Sequence, residues 1–158
     1  MVDLADEERR GTITVEESGR RAEVRLAHPL FGEVLRARMP VLQRRHLQRL
    51  LADALEATGC RRRGDVLRLA TWRVESASPM DAGLLLQAAR QARDVFDFAL
   101  TARLARASWE LAPSFEAGLV LGASLSELGQ FDAAGGVLDR LAGTEPDGTA
   151  HQLPAPPT

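Results

Sequence analysis

Histidine and cysteine are the side chains in this sequence that could bind a transition metal. The chain contains His28, His46, His151 and Cys60, and no others of either type. A zinc site draws three or four such ligands together, usually from pairs a few residues apart. Here the four residues lie far apart in the sequence, so we expect no metal site. A single cysteine also supports no internal disulfide, which agrees with a reducing compartment.

Other catalytic motifs do not appear in the pattern either. The stretch GASLSELG, residues 122–129, lacks the lysine and the strand-to-helix context of a phosphate-binding loop. The serines show no nucleophile-elbow spacing, and no pair of acids forms a recognisable catalytic pattern. We therefore expect a protein that is not an enzyme and that has no cofactor of its own.

Two arginine-rich stretches, QRRHLQR (43–49) and CRRRGD (60–65), are the candidates for contact with DNA phosphates. The formal net charge of −2 at pH 7 gives no overall attraction to nucleic acid. On a helix, Arg44 and Gln48 would lie opposite a stripe of leucines, which is typical of a solvated face. We therefore expect no direct DNA binding. Neighbouring arginines could lower the pKa of the Cys60 thiol, but an unreactive loop thiol is the simpler interpretation.

His28 stands where the sequence pattern changes. EVRL (23–26) alternates polar and apolar residues as a strand does, whereas LFGEVLRARM (30–39) repeats its apolar residues at helical spacing. His28 is followed by Pro29, which suits the first position of a helix. The position predicts that the imidazole caps the helix start and serves as the hinge between strand and helix.

The elements around this junction follow from periodicity and from turn residues. Residues 12–27 predict a β-hairpin, TITVEE and AEVRL, with its turn at SGRR. Two helices follow, separated at Pro40 and ended by Gly59. Asp65 is expected to be the N-cap of the next helix.

A repeat is the most informative feature of the second half of the chain. FALTARLARASWELAP (98–113) overlays on FDAAGGVLDRLAGTEP (131–146) with an offset of 33 residues, close to one tetratricopeptide unit. Phe98 then pairs with Phe131. The second unit matches the small, aromatic, apolar and proline positions of that pattern at Gly122, Leu125, Phe131, Ala134, Leu138, Leu141 and Pro146. The first unit is degenerate at Thr101, Ala105 and Ser108.

The predicted fold is mainly α: a short hairpin, then antiparallel helix pairs stacked as a tetratricopeptide-like α-solenoid. The expected divisions are a winged-helix remnant (hairpin plus two helices) at 1–59, a linking helix at 60–79, repeats at 80–146 and a disordered tail at 147–158. With 158 residues and 45% apolar composition, a globular chain is expected. No membrane-spanning run or signal peptide is apparent, so the cytoplasm is the expected location.

From residue 11 to about residue 145, the sequence resembles the middle portion of large ATP-binding LuxR-family regulators, the MalT-like activators common in actinobacteria. The most specific stretch is HPLFGEVLR (28–36), followed by the helical segment 84–113 and the second repeat unit. The resemblance implies an ATPase module before this region, a winged-helix element, a helical sensor region and a DNA-reading helix-turn-helix after it. This chain would carry only the middle.

The resemblance also implies a role for His28. LAHPLF (26–31) is similar in placement to the Met-His-Asp junction of STAND-class ATPases, with Pro29 in place of the acid. There the histidine contacts the phosphates of ADP, so that ATP or ADP would belong to the parent protein rather than to this fragment. The implied partners are the adjacent ATPase module or another protomer, and an inducer or a protein on the repeat surface.

Two other classes of protein remain open on sequence grounds. A free-standing tetratricopeptide adaptor would mediate protein–protein interaction without a role in transcription, and it predicts a solenoid cap near the C-terminus. A small winged-helix DNA-binding protein would need a recognition helix before the hairpin, and VDLADEERR (2–10) is short and acidic.

Overall fold

The computed structural model describes residues 4–18, 21–62 and 64–143. Within these ranges the chain forms eight α-helices and one two-stranded antiparallel sheet, which confirms the predicted mainly α fold. The elements are α1 (Leu4–Arg9), β1 (Ile13–Ser18), β2 (Arg21–Leu26), α2 (Pro29–Arg38), α3 (Val41–Ala57), α4 (Asp65–Glu75), α5 (Ala82–Asp94), α6 (Phe98–Leu111), α7 (Phe115–Glu127) and α8 (Phe131–Ala142).

The predicted hairpin is present, and its two faces differ in polarity. In the register of β1 and β2, Ile13 lies opposite Leu26 and Val15 lies opposite Val24. Because successive side chains of a strand point to opposite faces, these four apolar residues share one face. The predicted turn includes residues 19 and 20, which lie outside the described residues. Helix α1 packs against β1, and α2 packs against β2.

The chain divides into two compact units, Met1–Leu47 and Gln48–Thr158. The division falls inside α3, whereas the sequence pattern placed it at residue 59. The ion pairs of Arg73 on α4 explain why the second half of α3 belongs to the later unit. Arg73 Nη1 lies 2.9 Å from Asp53 Oδ1 and Arg73 Nη2 lies 2.5 Å from Glu56 Oε2. Burial opposes the charge of Arg73, but hydrogen bonds to Glu56 and Asp53 outweigh it and raise the pKa of the guanidinium.

The polar and apolar faces of α3 are not distributed as the sequence pattern predicted. Arg44 and Gln48, expected on a solvated face, are half-buried, whereas Leu50 and Leu51 are about half exposed. Arg44 Nη2 donates a hydrogen bond of 2.6 Å to the carbonyl oxygen of Arg36, and Gln48 Nε2 donates to Glu75 Oε2. The prediction for these two residues was wrong because long polar side chains can be buried when they reach acceptors.

Helix α4 begins one residue earlier than the sequence suggested. Its N-cap is Gly64, which has φ of 88° and offers no side-chain cap, and Asp65 is the first helical residue. Asp65 is buried, and its Oδ2 accepts a hydrogen bond of 2.9 Å from the backbone N–H of Arg62. The expectation that Asp65 is the N-cap is therefore corrected. The left-handed backbone at this point is readily adopted by glycine, and the aspartate instead closes the preceding loop.

The 33-residue offset read from the sequence is present in the structure. Helices α5 and α7 both begin and end 33 residues apart, and α6 and α8 begin 33 residues apart. The side chains of Asp81 and Ser114 cap α5 and α7 by accepting from the backbone N–H three residues later. The turns also match, since Phe96 and Gly129 both have a left-handed backbone, with φ of 60° and 70°. The repeat is therefore one of backbone geometry as well as of residue type.

Stacked helix pairs build the core of the later unit. Each helix from α4 to α8 packs against the next, and α4 also packs against α6 and α5 against α7. The largest fully buried apolar side chains are Leu85, Leu104, Leu121 and Leu125. Between them lie small residues that let the helices approach closely, and these are Ala70, Ala88, Ala89, Ala92, Ala105 and Ala117. At the contact of α7 with α8, a Cβ on Gly118 would stand 2.6 Å from Leu141 Cδ2.

The glycines of α7 and α8 provide a test of this close contact. Replacing Gly118 with Ala is expected to lower the free energy of unfolding by about 1–2 kcal/mol, because the buried Leu141 has little room to move. Gly136→Ala is the matched control, since nothing lies within 4 Å of its added Cβ. That change should raise the free energy of unfolding by about 0.5–1 kcal/mol. Urea denaturation followed by circular dichroism measures both, and a Gly118→Ala protein as stable as Gly136→Ala would contradict the packing.

Candidate functional site

His28 lies between β2 and α2 and caps the helix, as its position in the sequence predicted. Its backbone is extended, with φ of −136° and ψ of 135°, and Pro29 is the first helical residue. The backbone N–H of Leu30 donates a hydrogen bond of 3.2 Å to His28 Nδ1. The imidazole also meets the ring of Phe31 edge to face, with 6.1 Å between the ring centroids. The cap thus fixes both the helix start and the orientation of an exposed imidazole.

A surface of apolar side chains surrounds this junction in the first unit. We call it the hairpin–α2 surface, and its residues are Val24, Leu26, Leu30, Phe31, Val34 and Leu35. Their exposed fractions lie between 41% and 57%. Gly32, which lies under Leu26, is the one buried residue among the described residues of this unit. The hairpin and α2 therefore present apolar side chains that no described element covers.

The predicted repeat residues fall into two groups. Gly122, Leu125 and Ala134 are buried where α7 packs against α8. Phe98 is half-buried at the start of α6, whereas Phe131 and Leu138 on α8 are exposed to 71% and 44%. Pro146 lies outside the described residues. The structure thus separates positions that the sequence pattern treated alike, because burial depends on whether a further helix lies over them.

Two clefts occur in the later unit. The larger, of about 470 Å³, lies between the α4–α5 loop and the end of α6 and is lined by Met80, Leu85 and Leu111 together with Arg73 and Glu110. Arg73 is already held by Asp53 and Glu56. The smaller, of about 120 Å³, lies beside Trp109, on which the guanidinium of Arg140 stacks at 4.3 Å. Neither cleft brings together a nucleophile and a base.

The Cys60 thiol is not activated by the arginines that follow it in the sequence. Burial raises the pKa of Cys60, and the negative charges of Asp65 and Glu56 raise it further. The thiol is therefore less ionised than an ordinary cysteine, which agrees with an unreactive loop residue.

Metal binding and membrane insertion were examined over the same described ranges. No group of three or more metal-ligating side chains is found there. Likewise, no described helix has the length and apolar character to cross a bilayer.

No family model matches this chain, and no match was found among curated proteins or solved structures. The functional argument therefore rests on the chain's own surfaces and on its internal repeat.

Two features of these surfaces were missed from the sequence. One is the pairing of Arg73 with Asp53 and Glu56, whose only sequence signal is a set of charges on two helices. The other is the exposure of Phe131 and Leu138. A helical-wheel reading would have found the second, because α8 carries more apolar residues than one buried stripe needs.

Replacing His28 tests its role as a cap. His28→Ala should cost about 0.5–2 kcal/mol of stability in the first unit, because the Leu30 N–H loses its acceptor. Amide hydrogen exchange of Leu30 and its neighbours in α2 measures the loss directly. His28→Asn is the control, since asparagine is a good N-cap and should keep the exchange slow. Unchanged exchange in His28→Ala would mean that the hydrogen bond does not hold the helix start.

Proposed function

We propose that this chain is a non-catalytic regulatory and interaction segment of a LuxR-family transcriptional regulator. In this proposal the first unit docks on a nucleotide-binding ATPase module of the STAND class, and the helix pairs act as a sensor for an inducer or a protein partner. The observation that carries the proposal is the hairpin–α2 surface. Six large apolar side chains there are about half exposed, in a unit whose described residues include one buried residue, Gly32.

Such a surface has a high cost in water. Burying apolar area stabilises a protein by roughly 25 cal/mol per Å², and monomeric proteins rarely expose contiguous apolar patches beyond a few hundred Å². A small unit without a core of its own is expected to be completed by another module. The hairpin–α2 surface supports docking of this kind, and its position next to His28 would place the imidazole at the contact.

The cap on α2 determines which chemistry His28 offers to that contact. Since Nδ1 accepts the Leu30 N–H, a neutral imidazole carries its proton on Nε2. The described residues provide no acceptor for that proton. An exposed Nε2–H is a suitable donor to a phosphate oxygen, and such hydrogen bonds to charged groups are strong. This tautomer supports the proposed contact of His28 with the phosphates of bound ADP in the intact protein.

The second candidate is a free-standing tetratricopeptide adaptor. The internal core of the later unit favours it, because α4 to α8 bury Leu85, Leu104, Leu121 and Leu125 among themselves. An adaptor of this kind would keep its partner binding when the hairpin–α2 surface is made polar. A regulator segment would lose its docking.

Docking through the hairpin–α2 surface can be tested with the ATPase module expected in the adjoining reading frame. Phe31→Asp combined with Leu35→Asp should weaken binding of the chain to that module by at least about tenfold, since two apolar side chains become charged at the contact. Thr14→Asp is the control, because Thr14 is exposed on the polar face of the hairpin. Isothermal titration calorimetry measures each affinity. Equal affinities for all variants, or no Walker-type module next to this sequence, would reject the proposal.

The role of His28 in nucleotide binding has a separate readout. In the intact regulator His28→Ala should release ADP on the order of ten- to a hundredfold faster, if one charged hydrogen bond of about 1.5–3 kcal/mol is lost. His28→Leu, which cannot donate, should behave alike, and His28→Asn should keep the helix cap while weakening the phosphate contact. Stopped-flow release of a fluorescent ADP analogue measures the rates. Wild-type rates in His28→Ala would leave His28 with a structural role only.

A further inference from the structure

The last helix pair exposes an apolar face whose counterpart in the preceding pair is covered. We call it the end face, and its residues are Phe115 and Leu119 of α7 and Phe131, Gly135, Leu138 and Ala142 of α8. Subtracting the repeat offset gives the counterparts Ala82, Leu86, Phe98, Ala102, Ala105 and Trp109. Each counterpart is buried or half-buried. The comparison can be made within one molecule because the two pairs share their helix bounds, caps and turns.

The difference in exposure is large at matched positions. Ala105 is fully buried, whereas its counterpart Leu138 is 44% exposed. Leu86 packs against the core, whereas its counterpart Leu119 is 47% exposed. In the earlier pair the covering element is α7, which packs against both α5 and α6. Within the described residues no helix stands in that relation to α7 and α8.

We propose that the end face binds an amphipathic α-helix of another protein, which lies on α7 and α8 as α7 lies on α5 and α6. The proposal deepens the proposed interaction function, on which it rests, by assigning a site and a class of partner. The repeat itself identifies the shape of the occupant. Since the chain covers the equivalent face with one helix, a single helix has the right length and width for this one.

The shape of α8 suits a packed helix. At 100° per residue, Phe131, Gly135, Leu138 and Ala142 form one stripe beside the buried stripe of Ala134, Val137 and Leu141. Nothing lies within 4 Å of the position where a Cβ on Gly135 would stand. The glycine therefore leaves a hole between Phe131 and Leu138 into which a side chain of the partner helix can fit.

Charge selects among possible occupants. Asp132 and Asp139 flank the stripe on the side away from the core, and neither forms an ion pair with a described residue. A partner helix with Lys or Arg along that flank would pair with them. A second copy of this chain is disfavoured, because a two-fold dimer with antiparallel α8 helices would bring the two aspartate rows together.

The probe for this site is a synthetic peptide with the sequence of residues 114–128 carrying Glu116→Lys and Glu127→Lys. It keeps the apolar face of the helix that covers the equivalent site and reverses its charges. Fluorescence anisotropy should give a dissociation constant on the order of 10–100 µM, as expected for a short helix that orders on binding. The same peptide with its original Glu116 and Glu127 should bind at least about threefold more weakly, and the difference should shrink at high salt.

Matched variants of the full chain complete the test. Phe131→Ser, with circular dichroism to verify folding, should weaken the lysine peptide by about tenfold or more. Leu111→Ser is the control, because Leu111 is 62% exposed at the α6–α7 turn and does not belong to the end face. It should leave the affinity within about twofold.

Several outcomes would overturn the site. They are the absence of saturable binding up to about 1 mM peptide, equal losses in Phe131→Ser and Leu111→Ser, and a dimer of the chain that Phe131→Ser dissociates. The last would identify a second copy as the occupant. Failure of the proposed regulator function is distinguishable, because Phe31→Asp and Leu35→Asp affect docking of the ATPase module and should leave peptide binding unchanged.

Discussion

Close approach of antiparallel helices is the constraint on which the later unit depends. The facing sides of α5 to α8 carry alanine and glycine between larger leucines, and the Gly118–Leu141 contact leaves no space for even one added carbon. Dispersion and burial both increase as the helices approach, because protein interiors are packed to the density of organic crystals. The caps and left-handed turns recur at the same offset because each pair must return the chain to the same packing distance.

The first unit follows the opposite principle. Its hairpin and helix are amphipathic, yet their apolar side chains remain about half exposed around the single buried Gly32. Local hydrogen bonds define its elements: the β ladder, the His28 cap and the contact of Arg44 with the Arg36 carbonyl. Such bonds fix secondary structure but contribute little net stability in water. A unit of this kind is suited to completion by a partner, which is the physical basis of the proposed docking.

A single hydrogen bond at His28 connects local structure with the proposed chemistry. Accepting the Leu30 N–H at Nδ1 starts α2 and at the same time assigns the proton of a neutral imidazole to Nε2. The residue can therefore hold the helix start and present a donor outward without any change of conformation. Pro29 supports this arrangement, because it needs no acceptor for a backbone N–H and its φ suits the first helical position.

The sequence by itself determined the features that depend on residues a few positions apart. These are the hairpin, the helical periods, the cap at His28 and the repeat of helix pairs, all of which follow from alternation, spacing and capping chemistry. Tertiary structure alone decided which faces are covered. It buried Arg44 and Gln48 while leaving leucines of α3 exposed, and it joined Arg73 to Asp53 and Glu56 across two helices. It also left Phe131 and Leu138 uncovered where their counterparts are buried or half-buried, because burial depends on whether another element lies over a residue and not on the residue's own type.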